Sequence, residues 1–194
     1  TGTMMNAEGA IYPAYQLMED HGRGFDQSAF LPAVVGYYTD TDGNMLSFPF
    51  NSSTPIMYYN KDMFEAAGLD PDQPPTTWQA MEDASLQLME SGAASCGFTT
   101  SWPSWVMLEN FSAWHDLPLG TLENGFGGIE TEFVFDNEHV ARHWDNLKAW
   151  EDAGAFQWGG PGSGPDAEPM FYSEDCAIFF GSSASRADVA ANAE

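Results

Sequence analysis

The chain has 194 residues, of which 43% are hydrophobic, so it is long enough to enclose a core of ordinary domain size. It carries 29 acidic residues against five basic ones, a formal net charge of −24, which excludes nucleic acid and anionic membrane as partners. The carboxylates are dispersed through amphipathic segments and do not form a tail, which favours a folded protein whose surface is adapted to high salt.

The N-terminal part of the chain predicts short helices and turns. Apolar residues at helical spacing indicate helical pieces over 4–21, interrupted at Pro13 and ended by Gly22. The run 39–44 contains Asp-Gly and Gly-Asn, which supply the positive φ of tight turns, and it predicts a turn between two extended runs. Its aspartates lack the spacing of a calcium-binding loop.

The stretch 48–69 changes character along its length. Apolar and aromatic residues predict extended chain over 48–59, interrupted by the polar run 51–54, which reads Asn-Ser-Ser-Thr. Asn60 then predicts a helix cap, and Gly68 predicts the end of a short helix. Leaving a polar group unpaired in a buried strand costs roughly 1–3 kcal/mol, so we expect water or a ligand at this polar run.

Strands and helices alternate in the remainder of the chain, which predicts an α/β fold. A capping box at 76–79 predicts a helix that ends near Glu90, and Asn137 predicts the cap of a helix that ends near Asp152. The other predicted elements are strands at 96–100, 132–135 and 176–181, a helix over 104–115 with Ser104 as its cap, a linker over 159–165, and a last helix that opens at 182–185.

Two pairs of residues follow predicted strands closely, and we expect them at the edge of the sheet where ligands bind in open α/β folds. The first pair is Trp102 and Trp105, which are candidates for a stacking platform, although aromatic residues at helical spacing are usually core. The second pair is Ser182 and Ser183, where a hydroxyl and the N–H groups of a helix start could bind an anion. An ordinary helix cap is the alternative for these serines.

The sequence contains no catalytic or metal motif that stands out. His139 and His143 are four residues apart, but no glutamate in the zinc-protease order and no third ligand accompany them, so we interpret them as part of a solvated helix face. Neither cysteine lies in a Cys-x-x-Cys pattern. We therefore predict no metal, no cofactor and no enzyme activity; a secreted glycoside hydrolase, which would use aromatic residues and carboxylates, is the distant alternative.

A resemblance to a known family rests on the stretch 49–69, Pro-Phe-Asn-Ser-Ser-Thr-Pro-Ile-Met-Tyr-Tyr-Asn-Lys-Asp-Met-Phe-Glu-Ala-Ala-Gly-Leu. The pattern resembles the maltose-binding-protein-like family of extracytoplasmic solute-binding proteins, which deliver substrates to ABC importers. Its polar run is similar to the glycerol-phosphate-binding branch of that family. The resemblance runs the length of the chain and implies a type II periplasmic-binding-protein-like fold, with 1–52 at the end of the first lobe and 53–194 in an incomplete second lobe. It also implies an internal fragment of a longer protein.

The same resemblance implies a ligand and the residues that bind it. The ligand is sn-glycerol 3-phosphate or a glycerophosphodiester, bound in the cleft between the lobes of a periplasmic monomer that docks on the permease subunits of an ABC transporter. The residues implied for the cleft are Ser53, Trp102, Trp105, Ser182 and Ser183. Cys96 and Cys176 match cysteines of the family, and outside the cytoplasm such a pair predicts a disulfide. An oligosaccharide-binding protein of the same fold is the nearest alternative.

Overall fold

The computed structural model describes residues 9–24, 26–160 and 167–193. The chain divides into two units, one formed by Thr1–Ser52 with Asp116–Asp136 and the other by Ser53–His115 with Asn137–Glu194. Over the described ranges, no helix has both the length and the apolar character that a membrane span requires. Part of the predicted helical stretch 4–21 and most of the predicted linker 159–165 lie outside the described residues.

The first unit contains α1 (Ala14–Asp20), a 3-10 turn (Gln27–Ala29) and α2 (Pro32–Tyr38). The turn predicted at 39–44 forms, because the Asp40 carboxylate accepts hydrogen bonds from the backbone N–H groups of Asp42 and Asn44 at 3.0 and 2.8 Å. Thr39 and Met45 form an antiparallel bridge across it. Only single bridge residues flank the turn, and the extended run predicted before it is wrong, because α2 continues to Tyr38.

The strand predicted at 132–135 is wrong. A single antiparallel bridge between Gly120 and Phe133 stands in its place. The segment before it, Thr121–Gly125, contains three consecutive residues with φ between 50° and 56°, the last of which is Asn124. The Asn124 side-chain oxygen accepts hydrogen bonds from the N–H groups of Leu119 and Gly120 at 2.8 and 3.1 Å. These N–H groups are therefore not available to pair with a longer strand.

The second unit is built on a sheet in the order β1-β4-β2-β3. The strands are β1 (Pro55–Tyr59), β2 (Cys96–Thr100), β3 (Phe156–Trp158) and β4 (Cys176–Ser182). β2 runs parallel to β3 and β4, whereas β1 runs antiparallel to β4. Pro55, the first residue of β1, therefore lies opposite Ser182, the last residue of β4. The start of β1 thus shares an edge with the ends of the three parallel strands.

Helices cover this sheet. They are α3 (Lys61–Ala66), α4 (Trp78–Glu90), a π-helix (Ser104–Glu109) that continues into α5 (Asn110–Trp114), α6 (Glu138–Asp152), α7 (Glu168–Tyr172) and α8 (Arg186–Asn192). The main core joins α3, α4 and α6 to the sheet, with Phe98 and Leu147 almost fully buried. A smaller cluster contains Phe171 of α7 and Phe179 of β4. Burying each such side chain stabilises the fold by about 1.5–3 kcal/mol.

The helix caps predicted at Asn60 and Asn137 are confirmed. Asn60 caps α3 and Asn137 caps α6, each accepting the backbone N–H three residues later, at 3.0 and 3.1 Å. The predicted capping box at 76–79 is wrong. Thr77 caps α4 by accepting the N–H of Ala80 at 3.1 Å, and Gln79 instead bonds acidic side chains on the exposed face of α4.

A disulfide joins Cys96 to Cys176. The two residues begin β2 and β4 and stand opposite each other in the parallel register, with their Cα atoms 4.6 Å apart. The bond therefore ties two central strands at the edge where they start. The ends of the same strands, at the other edge, carry the candidate ligand-binding residues.

Candidate functional site

The three parallel strands end together at one edge of the sheet, which we call the carboxyl edge. Thr100 of β2 pairs with Trp158 of β3 and with Phe180 of β4. Beyond the end of β2, the Ser101 N–H donates to the Phe180 carbonyl at 3.1 Å, so the chain stays beside β4 as it leaves the sheet. All five residues implied for ligand binding lie at this edge.

Ser183 bonds to Thr54, the residue after Ser53, where β1 begins and β4 has just ended. The Ser183 N–H donates to the Thr54 carbonyl at 2.9 Å, and the Ser183 hydroxyl oxygen accepts the Thr54 N–H at 3.1 Å. Ser53 immediately precedes this pair and is exposed. The polar run predicted to need partners thus finds one in the loop after β4, and the Ser53 side chain faces solvent.

Ser182 is buried at the same place, with 4% of its surface exposed. Its hydroxyl oxygen accepts the Ala184 N–H at 3.0 Å, which caps the 3-10 turn that precedes α8. Its carbonyl accepts a hydrogen bond from the Tyr58 hydroxyl at 2.8 Å. The geometry therefore shows a helix cap, and because the cap uses the hydroxyl as an acceptor, its O–H remains able to donate.

Trp102 and Trp105 form an edge-to-face pair that we call the tryptophan corner. Their ring centroids are 6.0 Å apart and the rings are inclined at 69°. Both are partly buried against the main core, so each combines a packing role with an accessible surface. Trp102 has φ +47°, a left-handed conformation that a bulky residue rarely adopts. Such strain costs about 1–3 kcal/mol and is found preferentially at functional sites.

The backbone after Trp102 is irregular as well. The Val106 N–H donates to the Trp102 carbonyl at 2.8 Å, and the π-helix that contains Trp105 ends with the Asn110 N–H bonded to the Trp105 carbonyl. The predicted Ser104 cap is wrong. Pro103, the residue before the helix, already has helical dihedral angles, and no side chain caps this terminus. π-helical turns are rare and occur frequently at functional sites.

A polar network lies beside Ser182 and was not anticipated from the sequence. The Ser185 hydroxyl donates to the Glu168 carboxylate at 2.6 Å, and the Tyr172 hydroxyl donates to its other oxygen at 3.4 Å. Burial and the Glu168 charge raise the pKa of Tyr58, and the same two causes raise the pKa of Tyr172 to about 12. Both phenols are therefore protonated donors at neutral pH.

A third tryptophan, Trp158, also lies at the carboxyl edge. It ends β3 and stacks on Trp144 of α6, with centroids 6.1 Å apart and an interplanar angle of 19°. β3 has three residues, too few for an alternation pattern to reveal it. The available signal is the residue that follows, since both Trp102 and Trp158 directly precede a proline or a glycine.

The two histidines of α6 do not share a solvated face, and that interpretation is wrong for His143. His139 is exposed, whereas 3% of His143 is exposed and its ring stacks on Phe111 at 3.9 Å. Burial lowers the pKa of His143 to about 4, so its ring is neutral at physiological pH. Across the described part of the chain, no group of three or more His, Cys, Asp or Glu side chains is placed to hold a metal ion.

The sequence matches a family model described as bacterial extracellular solute-binding protein over residues 3–194. The sn-glycerol-3-phosphate-binding periplasmic protein UgpB of Rhizobium meliloti (strain 1021) is 45% identical over 190 residues, covering 98% of this chain and 44% of the relative. UgpB of Pectobacterium atrosepticum is 45% identical over 195 residues, covering 100% and 43%. The chain thus spans less than half the length of these curated relatives.

Solved structures share the fold. The structure of UgpB from Mycobacterium tuberculosis in complex with glycerophosphocholine matches 95% of this chain and 45% of its own length, with a TM-score of 0.71 and 18% identity. The GacH receptor of Streptomyces glaucescens, solved without ligand and with acarbose, matches 99% and 46%, with a TM-score of 0.72 and 19% identity. The architecture is therefore that of the maltose-binding-protein-like periplasmic binding proteins.

Proposed function

This chain belongs to the bacterial extracellular solute-binding protein family, and on that premise we propose that it forms part of the substrate-binding component of an ABC importer. Its substrate is sn-glycerol 3-phosphate or a glycerophosphodiester, and its location is periplasmic. The observation that carries this proposal is the 45% identity, over nearly the whole chain, to proteins named for binding sn-glycerol 3-phosphate. The partner in the membrane is the permease of the transporter.

We assign Ser53 and the residues after it to the second lobe of the binding protein, and the residues up to Ser52 to the first. The division of the chain into two units at the same position supports this boundary. Asp116–Asp136 groups with the first unit and is the exception to this boundary, since we assign it to the first lobe.

The hydroxyl groups of Ser53, Ser182 and Ser183 bind the polar part of the ligand in this proposal. A phosphate oxygen or a glycerol hydroxyl can accept from an O–H donor, and bonds to a charged phosphate contribute about 1.5–3 kcal/mol each. Two of these serines already use their oxygen atoms as acceptors of backbone N–H groups, at 3.0 and 3.1 Å. Their protons therefore remain for the ligand, and their positions are fixed before it binds.

The tryptophan corner supplies the apolar part of the site. The face of an indole ring stacks on the glycerol carbons, and in a diester with a quaternary ammonium headgroup it attracts the cation by about 0.5–2 kcal/mol. The left-handed backbone of Trp102 supports this role, because strain of this kind is retained where a side chain must point in one direction.

The corner also supports a second candidate, an oligosaccharide-binding protein of the same fold. Paired tryptophans at 6.0 Å offer surfaces on which pyranose rings can stack. The two candidates differ in their dependence on phosphate. In either case the reaction is reversible binding with no chemical conversion, and the family consists of solute-binding proteins.

The test is a titration of the protein, at its full natural length and in high salt, with three ligands. Tryptophan fluorescence is followed on addition of glycerol 3-phosphate, glycerophosphocholine and maltose. We expect the two phosphates to saturate the signal and maltose to leave it unchanged. Saturation by maltose alone would support the oligosaccharide candidate, and turnover of a chromogenic glycoside would contradict both.

A further inference from the structure

The residues 182–185, which we call the serine turn, contain two of the hydroxyl groups assigned to the ligand. Ser183 bonds to Thr54 through its N–H and through its hydroxyl oxygen. The Ser182 hydroxyl oxygen accepts the Ala184 N–H at 3.0 Å. The first three residues of the turn are therefore held by bonds to nearby backbone groups, whereas the fourth is held in another way.

That fourth residue, Ser185, occupies the N-cap position of α8, but its side chain does not cap the helix. A serine at this position usually accepts a backbone N–H from the first turn of the helix. The Ser185 backbone already has helical dihedral angles, and its hydroxyl donates instead to the Glu168 carboxylate at 2.6 Å. Because 5% of Ser185 is exposed, water has little access to replace this acceptor. The end of the serine turn thus depends on a side chain of α7.

Glu168 is itself held from several sides. It is the first residue of α7, and Ala167 before it is fully buried and donates its N–H to the Ser101 hydroxyl oxygen at 3.4 Å. Gly159 packs so closely on Ala167 that a Cβ atom at this glycine would lie 2.3 Å from the Ala167 Cα. The Tyr172 hydroxyl donates to the second carboxylate oxygen at 3.4 Å. The backbone from which the carboxylate reaches the serine turn is therefore fixed.

The charge of Glu168 does not suit an anionic ligand. A carboxylate bonded to the serine turn repels a phosphate that binds at the same turn. An amide oxygen would accept the Ser185 proton without that charge. The position of the acceptor and its charge therefore have opposite effects on affinity, and substitutions that change one or both can separate them.

We propose that Glu168 is a positioning residue, which fixes the serine turn through Ser185 and thereby holds Ser182 and Ser183 where the ligand requires them. The effect on the ligand rests on the proposed function, whereas the effect on the turn does not. Glu168 contacts the turn and not the ligand, so its influence on affinity is indirect.

The test compares three variants of the protein at its full natural length. Glu168→Ala and Ser185→Ala remove the bond from either side, and Glu168→Gln keeps an acceptor oxygen but removes the charge. Ser173→Ala is the matched control. The Ser173 hydroxyl also contacts a carboxylate, that of Asp175 at 2.8 Å, but it lies beyond the end of α7, close to the start of β4.

Two quantities are measured for each variant. The first is the Kd for glycerol 3-phosphate. The second, which needs no ligand, is the hydrogen-exchange rate of the backbone N–H groups of Thr54, Ser183 and Ala184, which report local opening of the turn. The N–H of Phe98, which donates to the Ala155 carbonyl at 3.0 Å in the core, is the reference for opening of the whole unit.

We expect the three turn N–H groups to exchange about tenfold faster, relative to Phe98, in Glu168→Ala and in Ser185→Ala, and the Kd to rise about tenfold. In Glu168→Gln, exchange at the turn stays within about twofold of wild type, and binding is at least as tight, because the acceptor remains and the repulsion is lost. Ser173→Ala leaves both quantities unchanged.

Unchanged exchange at the turn in Ser185→Ala and Glu168→Ala would overturn the proposal. So would a Kd that falls in Glu168→Ala, or a Glu168→Gln variant that behaves like Glu168→Ala, because either would show that the charge dominates. An equal effect in Ser173→Ala would show general loosening and would also overturn it.

Two further outcomes are decided by the same measurements. If Glu168→Ala does not fold, Ser185→Ala and Glu168→Gln carry the comparison. If wild-type protein does not bind glycerol 3-phosphate, the proposed function fails, and the exchange rates at the turn decide the positioning role by themselves.

Discussion

Thr54 and Ser183 are joined by two hydrogen bonds, although 129 residues separate them in the chain. Ser183 donates its N–H to the Thr54 carbonyl at 2.9 Å, and its hydroxyl oxygen accepts the Thr54 N–H at 3.1 Å. The start of β1 and the chain after β4 are therefore held together before any ligand arrives. Ser53 is adjacent to this pair, so its backbone is held in place before binding. Less conformational entropy is therefore lost when the ligand binds.

Substituting Ser183→Ala removes one of these bonds and one donor to the ligand. We expect a loss of unfolding free energy of about 0.5–1.5 kcal/mol and a Kd for glycerol 3-phosphate that rises about tenfold. Denaturant unfolding and calorimetric titration measure the two effects. Ser91→Ala is the control, since Ser91 follows α4 at the opposite edge of the sheet. Equal effects on Kd in both variants would exclude a local role for Ser183.

The left-handed backbone of Trp102 predicts an unusual order of stability among its variants. Trp102→Gly and Trp102→Ala both lose the indole ring, and both should bind glycerol 3-phosphate weakly. Glycine adopts positive φ without the clash that costs an L-residue about 1–2 kcal/mol, so the glycine variant should be the more stable of the two. Thermal unfolding measures the difference. An alanine variant that is the more stable would show that the residue is not held at φ +47°.

Removal of the disulfide should destabilise the fold without altering the site. The bond closes a sequence separation of 80 residues, for which chain entropy gives about 4.5 kcal/mol as an upper estimate. It lies where β2 and β4 start, and the candidate residues lie where these strands end. A Cys96→Ala/Cys176→Ala variant should therefore unfold at lower denaturant while its Kd, measured well below its Tm, stays unchanged. A large change in Kd would contradict the separation of the two edges.

Because His143 is buried, we expect the protein to become less stable in mild acid. Burial lowers its pKa from 6.5 to about 4 in the folded protein, so the unfolded chain binds the proton more readily between these values. Its contribution is complete above pH 6.5 and is lost as the pH falls towards 4, by up to about 3 kcal/mol. Urea unfolding at pH 7 and at pH 4.5 measures the loss. His143→Phe should lose less unfolding free energy than wild type over this interval. The carboxylates titrate in both proteins, so the difference between the two losses is due to His143. Equal losses would contradict the contribution of His143.

The sequence predicts the elements whose signals are local. Asn60 and Asn137 mark helix starts because a side-chain cap needs only the next three residues, and the buried strands β2 and β4, with five and seven residues, are long enough to stand out. β3 is not predicted, because three residues carry no periodicity and its strand character comes from pairing with β2. The strand expected at 132–135 fails for the converse reason, since its partner residues are engaged by Asn124.

The candidate site is predictable only in part for similar reasons. The positions of Trp102 and Ser182 after strands suffice to place them at one edge, as the sheet order and register then show. The stack of His143 on Phe111 depends on how α6 packs against α5, and neither helix contains a local signal for it. The bond between the Ser185 hydroxyl and Glu168 is equally non-local, because it joins segments on either side of β4.

The most direct test of the binding account is to follow the indole N–H resonances of the protein during titration with glycerol 3-phosphate. The account predicts that Trp102 and Trp105 shift in proportion to saturation. Trp78 and Trp150 stack on each other within the core region and should stay in place, so they serve as internal controls. Saturable binding that leaves Trp102 and Trp105 unmoved would contradict the assignment of the carboxyl edge as the ligand site.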